Sequence, residues 1–158
     1  MSVPPRVALR PAAAGDAEAL WRWRNDPVTR GASYDEGEVP LDVHTRWFEE
    51  ALGRPDRRIW IVEADGAAAG MVRLDLADGE ATVSINLAPE WRGRGVGPEA
   101  LSLLAREAFE GLRLARITAL VKAGNPASRA AFERAGFSVS RDADPVVLVR
   151  ERGAGVTA

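Results

Sequence analysis

The residues of this chain best suited to hold a ligand are Arg92-Gly93-Arg94-Gly95-Val96-Gly97. Alternate glycines leave backbone N–H groups uncovered, so an anion can approach the main chain closely. The run before them, Ala81–Leu87, alternates as a strand does, with Val83, Ile85 and Leu87 on one face and Thr82, Ser84 and Asn86 on the other. After them Leu101, Leu104, Ala105 and Ala108 recur three and four apart, the spacing of a helix. Pro98 fits the first helical turn, where its missing N–H is no loss. Strand, glycine loop and helix N-terminus together aim several N–H groups and the positive end of a helix dipole at one spot. That is a phosphate site, and Arg92 and Arg94 add charge to it. No Gly-Lys-Ser/Thr follows, so the loop is not a nucleotide P-loop. It also lacks the G-x-G-x-x-G spacing of a dinucleotide fingerprint. A tight strand-to-helix turn is the other reading of the loop taken alone.

A second polar constellation lies downstream, where Asn125-Pro126-x-Ser128 follows a strand-like run and opens a short helix. The Ser128 hydroxyl either caps that helix or faces a ligand. His44 is the single histidine. An imidazole titrating near pH 6.5 suits a general base, and a packing or surface histidine is the other reading. Trp23, Trp47, Trp60 and Trp91 could wall a ligand, although Trp47 and Trp60 fall on apolar phases that suit a core. Glu49-Glu50 and Arg57-Arg58 read as solvated faces.

The elements that must position these groups follow from the pattern of the chain. Val7–Arg10 reads as a strand, Asp16–Arg24 as a helix, and Asn25-Asp26-Pro27 as its break. Thr29–Pro40 has little periodicity and reads as an exposed loop. Asp42–Leu52 is a second helix with Val43, Trp47, Phe48 and Ala51 on one stripe. Strands Arg58–Ala64, Ala69–Leu76 and Ala81–Leu87 form a meander turned at Asp65-Gly66 and Asp78-Gly79. Helix Pro98–Glu110, strand Arg116–Lys122, helix Ser128–Ala135 and strands Phe137–Arg141 and Val146–Arg150 complete the order.

The 158 residues suit one domain, 1–158, with 1–5 and 153–158 as flexible ends. A net charge of −2 gives no reason to expect nucleic acid as a partner. The absence of cysteine excludes disulfides, thiolate metal sites and a cysteine nucleophile, and agrees with a reducing cytoplasm. One histidine rules out a histidine-rich metal site, and no metal is expected. No apolar run reaches a membrane span or reads as a secretory leader.

Arg92-x-x-Gly95-x-Gly97 and Asn125-x-x-Ser128, with Gly136-Phe137 closing the following helix, together resemble the GCN5-related N-acetyltransferase (GNAT) superfamily. The resemblance extends from Leu9 to about Arg150. It implies an α/β (α+β) fold: a mixed central sheet of about seven strands, splayed between the fourth and fifth, with four helices. It implies acetyl-CoA as the acetyl donor, lying in that gap. The backbone of Ile85, Asn86 and Leu87 would pair with the pantetheine arm, the loop Gly93–Pro98 would take the pyrophosphate, and Asn125 would hydrogen-bond the cofactor. Unpaired strand amides would be satisfied by those of the donor and could stabilise an oxyanion. Many members carry a tyrosine four positions beyond the Ser/Ala that protonates the leaving thiolate. This chain has Phe132 there, which leaves Ser128 as the candidate donor and Tyr34 as a remote one.

The implied reaction is direct attack by an amine, which must be neutral. A lysine-like amine is neutral roughly once in 2500 molecules at pH 7, a penalty of about 4.6 kcal/mol; an α-amine loses about 1.4 kcal/mol. A chain without an evident base is better matched to the second kind. Trp23-Arg24-Asn25-Asp26-Pro27 with Val28-x-Arg30, and His44-x-x-Trp47-Phe48, resemble the branch of ribosomal-protein N-terminal and bacterial aminosugar N-acetyltransferases. That implies a nucleotide-linked aminosugar as acceptor, held over Arg24, Asn25 and Trp47 with Arg24 and Arg30 on its phosphates. A protein N-terminal amine, an antibiotic amine, and a non-catalytic acyl-CoA-binding module are the alternatives. The chain is expected to act as a monomer or homodimer.

Overall fold

Two Asp-Gly turns build the central meander. Asp65 and Gly66 have φ of 51° and 83°, and Asp78 and Gly79 have 53° and 78°. Positive φ at both central residues gives turns whose twist matches that of the flanking strands. They join β2 (Arg57–Ala64), β3 (Ala67–Ala77) and β4 (Glu80–Leu87) in the computed structural model, which describes residues 3–32 and 37–153. With β1 (Val7–Pro11), β5 (Arg116–Val121), β6 (Ser138–Arg141) and β7 (Val146–Glu151), they form one sheet in the order β1-β2-β3-β4-β5-β7-β6. Neighbours are antiparallel except β4 and β5, which run parallel.

Alternation along each strand divides the apolar residues between two faces. On one face Val62, Val72, Leu74 and Val83 pack against Leu101, Leu104 and Ala105 of α4 (Val96–Arg106) and Phe132 of α5 (Pro126–Arg134). On the other, Ile59, Ile61 and Met71 meet Leu20 and Trp23 of α1 (Ala17–Asn25) and Phe48 and Ala51 of α3 (Leu41–Leu52). The first cluster is the larger, so the sheet and α4 form the rigid platform for whatever binds at its rim.

The expected strands and the four expected helices are present, with shifts at their ends. The largest difference is α2 (Pro27–Ala32), which occupies part of the stretch expected as a loop. Pro27 suits a helix start, and the Asp26 carboxylate accepts a hydrogen bond from the Thr29 N–H at 3.2 Å. Those local devices form a short helix without any apolar stripe. Tyr34 lies outside the described residues. Helix α4 starts two residues before Pro98, which still falls in its first turn. Its far end widens into a π-helical turn over Glu107–Gly111.

Candidate active site

Strands β4 and β5 pair only over Glu80–Thr82 and Arg116–Thr118. Beyond that point β5 continues along β7, while β4 continues along β3. Among the described residues, Ser84–Leu87 therefore has no strand partner on its β5 side. The Ala88 N–H donates to the Ala69 carbonyl at 2.8 Å, which sets the phase of the β3–β4 ladder. With the observed register, Asn86 and Met71 exchange hydrogen bonds, and so do Ser84 and Arg73. Val83, Ile85 and Leu87 then turn their N–H and C=O groups toward β5, where the Thr82–Thr118 pair engages the Val83 N–H and leaves Ile85 and Leu87 on the open side. Ile85 and Leu87 thus stand as expected for pairing with a ligand's amides. Asn86 does not: its backbone belongs to β3, and its side-chain oxygen accepts from the Thr29 hydroxyl at 2.9 Å.

Four residues separate the end of β4 from the glycine loop at Arg92. Gly93 (φ 72°) and Gly95 (φ 80°) lie in the left-handed region, and a Cβ on either would meet no protein atom within 4 Å. The space over their backbone is open, as anion approach requires. Gly95 is the N-cap of α4, and Val96 is fully buried beneath the loop. Gly97 differs from expectation. A Cβ there would touch Leu87 Cδ1 at 3.6 Å and Ala131 Cβ at 3.9 Å, so Gly97 faces the packing between β4 and α5 and not the open side.

Arg92 also departs from its expected role. Its Nη2 lies 2.8 Å from Asp26 Oδ2 and 2.9 Å from the Thr29 hydroxyl, which ties the loop to α2 and commits the guanidinium. Arg94 is exposed and stacks over the Trp91 ring at 4.3 Å. Of the two arginines, Arg94 is the one available to a phosphate.

At the end of β5, Asn125 caps α5: its Oδ1 accepts from the Ser128 N–H at 3.2 Å. This cap leaves the Asn125 amide nitrogen for another partner. Ser128 is half-buried in the first turn, and its hydroxyl is not the capping group. Phe132 is 3 % exposed and meets Phe137 edge-on at 5.0 Å, so it is a core residue.

On the opposite face α2 crosses the rim of the cleft. Thr29 holds Asn86 of β4, and the Gly31 carbonyl accepts from Lys122 Nζ, just past β5, at 3.0 Å. Asn25 borders a hollow of about 480 Å³ lined also by Trp21, Trp23, Asp26, Pro89 and Glu90. Its amide is engaged with Val39, donating at 2.7 Å and accepting at 2.8 Å, so it braces the chain after α2. His44 is buried between α1 and α3, 5.4 Å from Trp47, and its Nδ1 has no hydrogen-bond partner among the described residues. Burial, and then the Arg24 charge, hold the imidazole below its ordinary pKa. His44 is thus buried at the α1–α3 contact beside the half-buried Arg24, in surroundings that favour its neutral form.

Trp47 is half-buried and roofs a charged cluster that takes in Arg57, expected on a solvated face. Arg57 and Arg73 lie 5.5 and 5.7 Å from its ring centre. Both share one carboxylate, Asp75, at 2.7 and 3.1 Å, and Arg73 reaches the Ser84 hydroxyl at 3.3 Å. These two guanidiniums on one carboxylate stand beside the unpaired part of β4, with the Arg54–Asp56 pair next to them. Among the described residues no group of His, Cys, Asp or Glu is arranged to hold a metal ion, and no helix is long and apolar enough to cross a membrane.

The fold thus sets a splayed strand pair beside a glycine loop at a helix N-terminus. The GNAT acetyltransferase domain model matches residues 6–138, and the chain belongs to that family of acyltransferases, which take their acetyl group from acetyl-CoA. Spermidine N(1)-acetyltransferase of Escherichia coli K12 is 24 % identical over 136 residues, 84 % of this chain and 73 % of that protein. A Bacillus subtilis protein named "Putative ribosomal N-acetyltransferase YdaF" is 37 % identical over 76 residues, 46 % of this chain and 42 % of its own length. Among solved structures, the spermidine N-acetyltransferase of Vibrio cholerae with CoA and spermine superposes with a TM-score of 0.86 at 19 % identity, covering 96 % of this chain and 98 % of that one. The aminoglycoside acetyltransferase AAC(6')-Ib with coenzyme A and kanamycin gives 0.80 at 17 % identity, covering 93 % and 95 %.

Proposed function

We propose that this enzyme moves the acetyl group of acetyl-CoA directly to the amine of a small molecule, with a nucleotide-linked aminosugar as acceptor. The observation that carries the first part is the end of β4–β5 pairing at Thr82–Thr118. The Ile85 and Leu87 backbone groups line the gap and are free to bond the amides of the donor's arm. Donors held rigidly there would also polarise the thioester carbonyl and stabilise the charge that grows on its oxygen. The open backbone of Gly93–Gly95, the α4 N-terminus and Arg94 hold the pyrophosphate. The amide nitrogen of Asn125 bonds the donor, and the Ser128 hydroxyl donates to the leaving thiolate.

The acceptor reading rests on charge. The Arg57–Asp75–Arg73 cluster favours an acceptor that carries negative charge close to its amine, as a nucleotide sugar does. A polycation would meet the Arg73 guanidinium beside Ser84. An amine of low basicity also dispenses with a strong base, which suits a chain whose one imidazole is buried. The test is a competition: equal concentrations of a 4-amino nucleotide sugar and spermidine, compared by kcat/KM. A preference for spermidine overturns the acceptor while leaving acetyl transfer in place. A peptide N-terminal amine is the second reading, supported by the ribosomal acetyltransferase likeness over 76 residues.

A further inference from the structure

Gly70 sits in the interior of β3, where glycine normally weakens a strand. Its φ is not in the left-handed region, so conformation does not call for glycine there. Space does. A Cβ at residue 70 would lie 2.4 Å from the Asn86 carbonyl oxygen and 2.9 Å from both Leu87 Cα and Leu87 Cδ2. Two of those three atoms are backbone and cannot rotate aside. Gly70 and Leu87 face each other as a pair without mutual hydrogen bonds, the arrangement in which Cα atoms approach most closely. Residues 86–87 of β4 therefore lie across the position that any side chain at 70 would fill.

We infer that Gly70 is a positioning residue for the acetyl donor: its missing side chain lets the Asn86–Leu87 backbone settle onto β3 and turns the Leu87 amide to the open side of β4. With a methyl group at 70, the segment must move by roughly half an ångström or more to reach a tolerable contact, and the Leu87 N–H moves with it. The far wall of the same residue is also glycine, since Leu87 Cδ1 rests 3.6 Å from where a Gly97 Cβ would stand. Leu87 is thus seated between two positions that lack side chains, with little room to absorb the shift elsewhere. This inference rests on the reading that the donor's arm lies along β4.

The test separates the two. 3′-Phosphoadenosine 5′-diphosphate engages the glycine loop alone, whereas CoA engages the loop and the β4 edge. In the unmodified protein CoA should bind more tightly than the nucleotide by calorimetric titration; equal affinities would overturn the β4 reading itself. In Gly70→Ala, nucleotide affinity should stay within about twofold while CoA affinity falls about tenfold or more. If CoA affinity is retained, or if both ligands weaken equally, Gly70 has no positioning role. Should Gly70→Ala not fold, the pair G70A/L87G and L87G is compared, because glycine at 87 lets the backbone yield. The same selective loss of CoA is expected on adding G70A, and its absence overturns the inference.

Discussion

Arg92 and Asp26 form an ion pair of 2.8 Å that joins the head of the glycine loop to the start of α2, with the side chains 29 % and 16 % exposed. The Thr29 hydroxyl extends the contact from Arg92 to Asn86 of β4. An arginine next to a phosphate loop is here a brace, and that changes what its removal should do.

Arg92→Ala removes one guanidinium from the mostly buried Asp26 carboxylate. Breaking a fully buried pair costs about 3–5 kcal/mol, and partial exposure reduces that to about 1–3 kcal/mol. Urea unfolding should register this loss. Arg94→Ala should leave stability within about 0.5 kcal/mol, as for an ordinary surface change. It should instead lower CoA affinity severalfold and reduce the salt dependence of binding. The reverse assignment of the two phenotypes would return Arg92 to the phosphate.

Gly95→Ala should cost about 1–2 kcal/mol for the left-handed backbone alone, because its Cβ meets no protein atom. The methyl group would then stand in the open space over the loop, so CoA binding should fall by more than the stability change explains. Gly97→Ala should be tolerated, since its contacts at 3.6 and 3.9 Å are ordinary ones. Titration of both variants with CoA distinguishes the two glycines.

Asn125 is the α5 cap whatever else it does. Asn125→Asp keeps an oxygen for the Ser128 N–H and should hold the melting temperature, yet it loses the amide nitrogen and should raise the KM for acetyl-CoA. Asn125→Ala should lose both, with a cap worth about 1 kcal/mol and a fall of about 2–4 °C. Ser128→Ala should lower kcat about tenfold or more with little change in KM, as expected for a bond formed mainly in the transition state. Normal KM in Asn125→Asp, or unchanged kcat in Ser128→Ala, would remove that residue from the site.

His44 makes a pH prediction. Burial and Arg24 lower its pKa in the folded chain, whereas the unfolded chain protonates near 6.5. Below pH 6.5 the unfolded state binds more protons, so stability falls as pH drops through that value toward the lower folded pKa. His44→Leu should flatten the fall in melting temperature between pH 7 and pH 5 while keeping most of kcat. Asp16 has the same sign in a lower window: its bond to Arg10 lowers its pKa, so that contribution disappears only below pH 3.8. A large kcat loss in His44→Leu would make His44 a base after all.

Much of this fold was legible because its signals are local. The Asp-Gly turns, the alternation in β4 and the stripes of α3 and α4 each lie within about ten residues of sequence. The Gly136-Phe137 stop is of the same kind, closed by the Phe137 N–H on the Phe132 carbonyl at 3.0 Å. What could not be read depends on tertiary register. Counting outward from the Asp65-Gly66 turn pairs Ala64 with Ala67 and would place Arg57 opposite Leu74. A bulge at Val62/Glu63 shifts the ladder by one and sets Arg57 opposite Asp75, which creates the charged cluster under Trp47. The roles of Arg92 and Asn25 were equally hidden, since Asp26 lies 66 residues from Arg92 and Val39 is 14 from Asn25. Gly70 gave no pattern at all, because its reason is a close backbone approach from another strand.

The most direct measurement of the central claim is thiol release. The protein is mixed with acetyl-CoA and, in separate reactions, a 4-amino nucleotide sugar, an N-terminal peptide, spermidine and an aminoglycoside. The splayed β4 edge and glycine loop predict CoA thiol appearing in step with acetylated amine, fastest with the nucleotide sugar. CoA binding without thiol release for any amine would contradict catalysis at this site and leave a domain that only holds acyl-CoA.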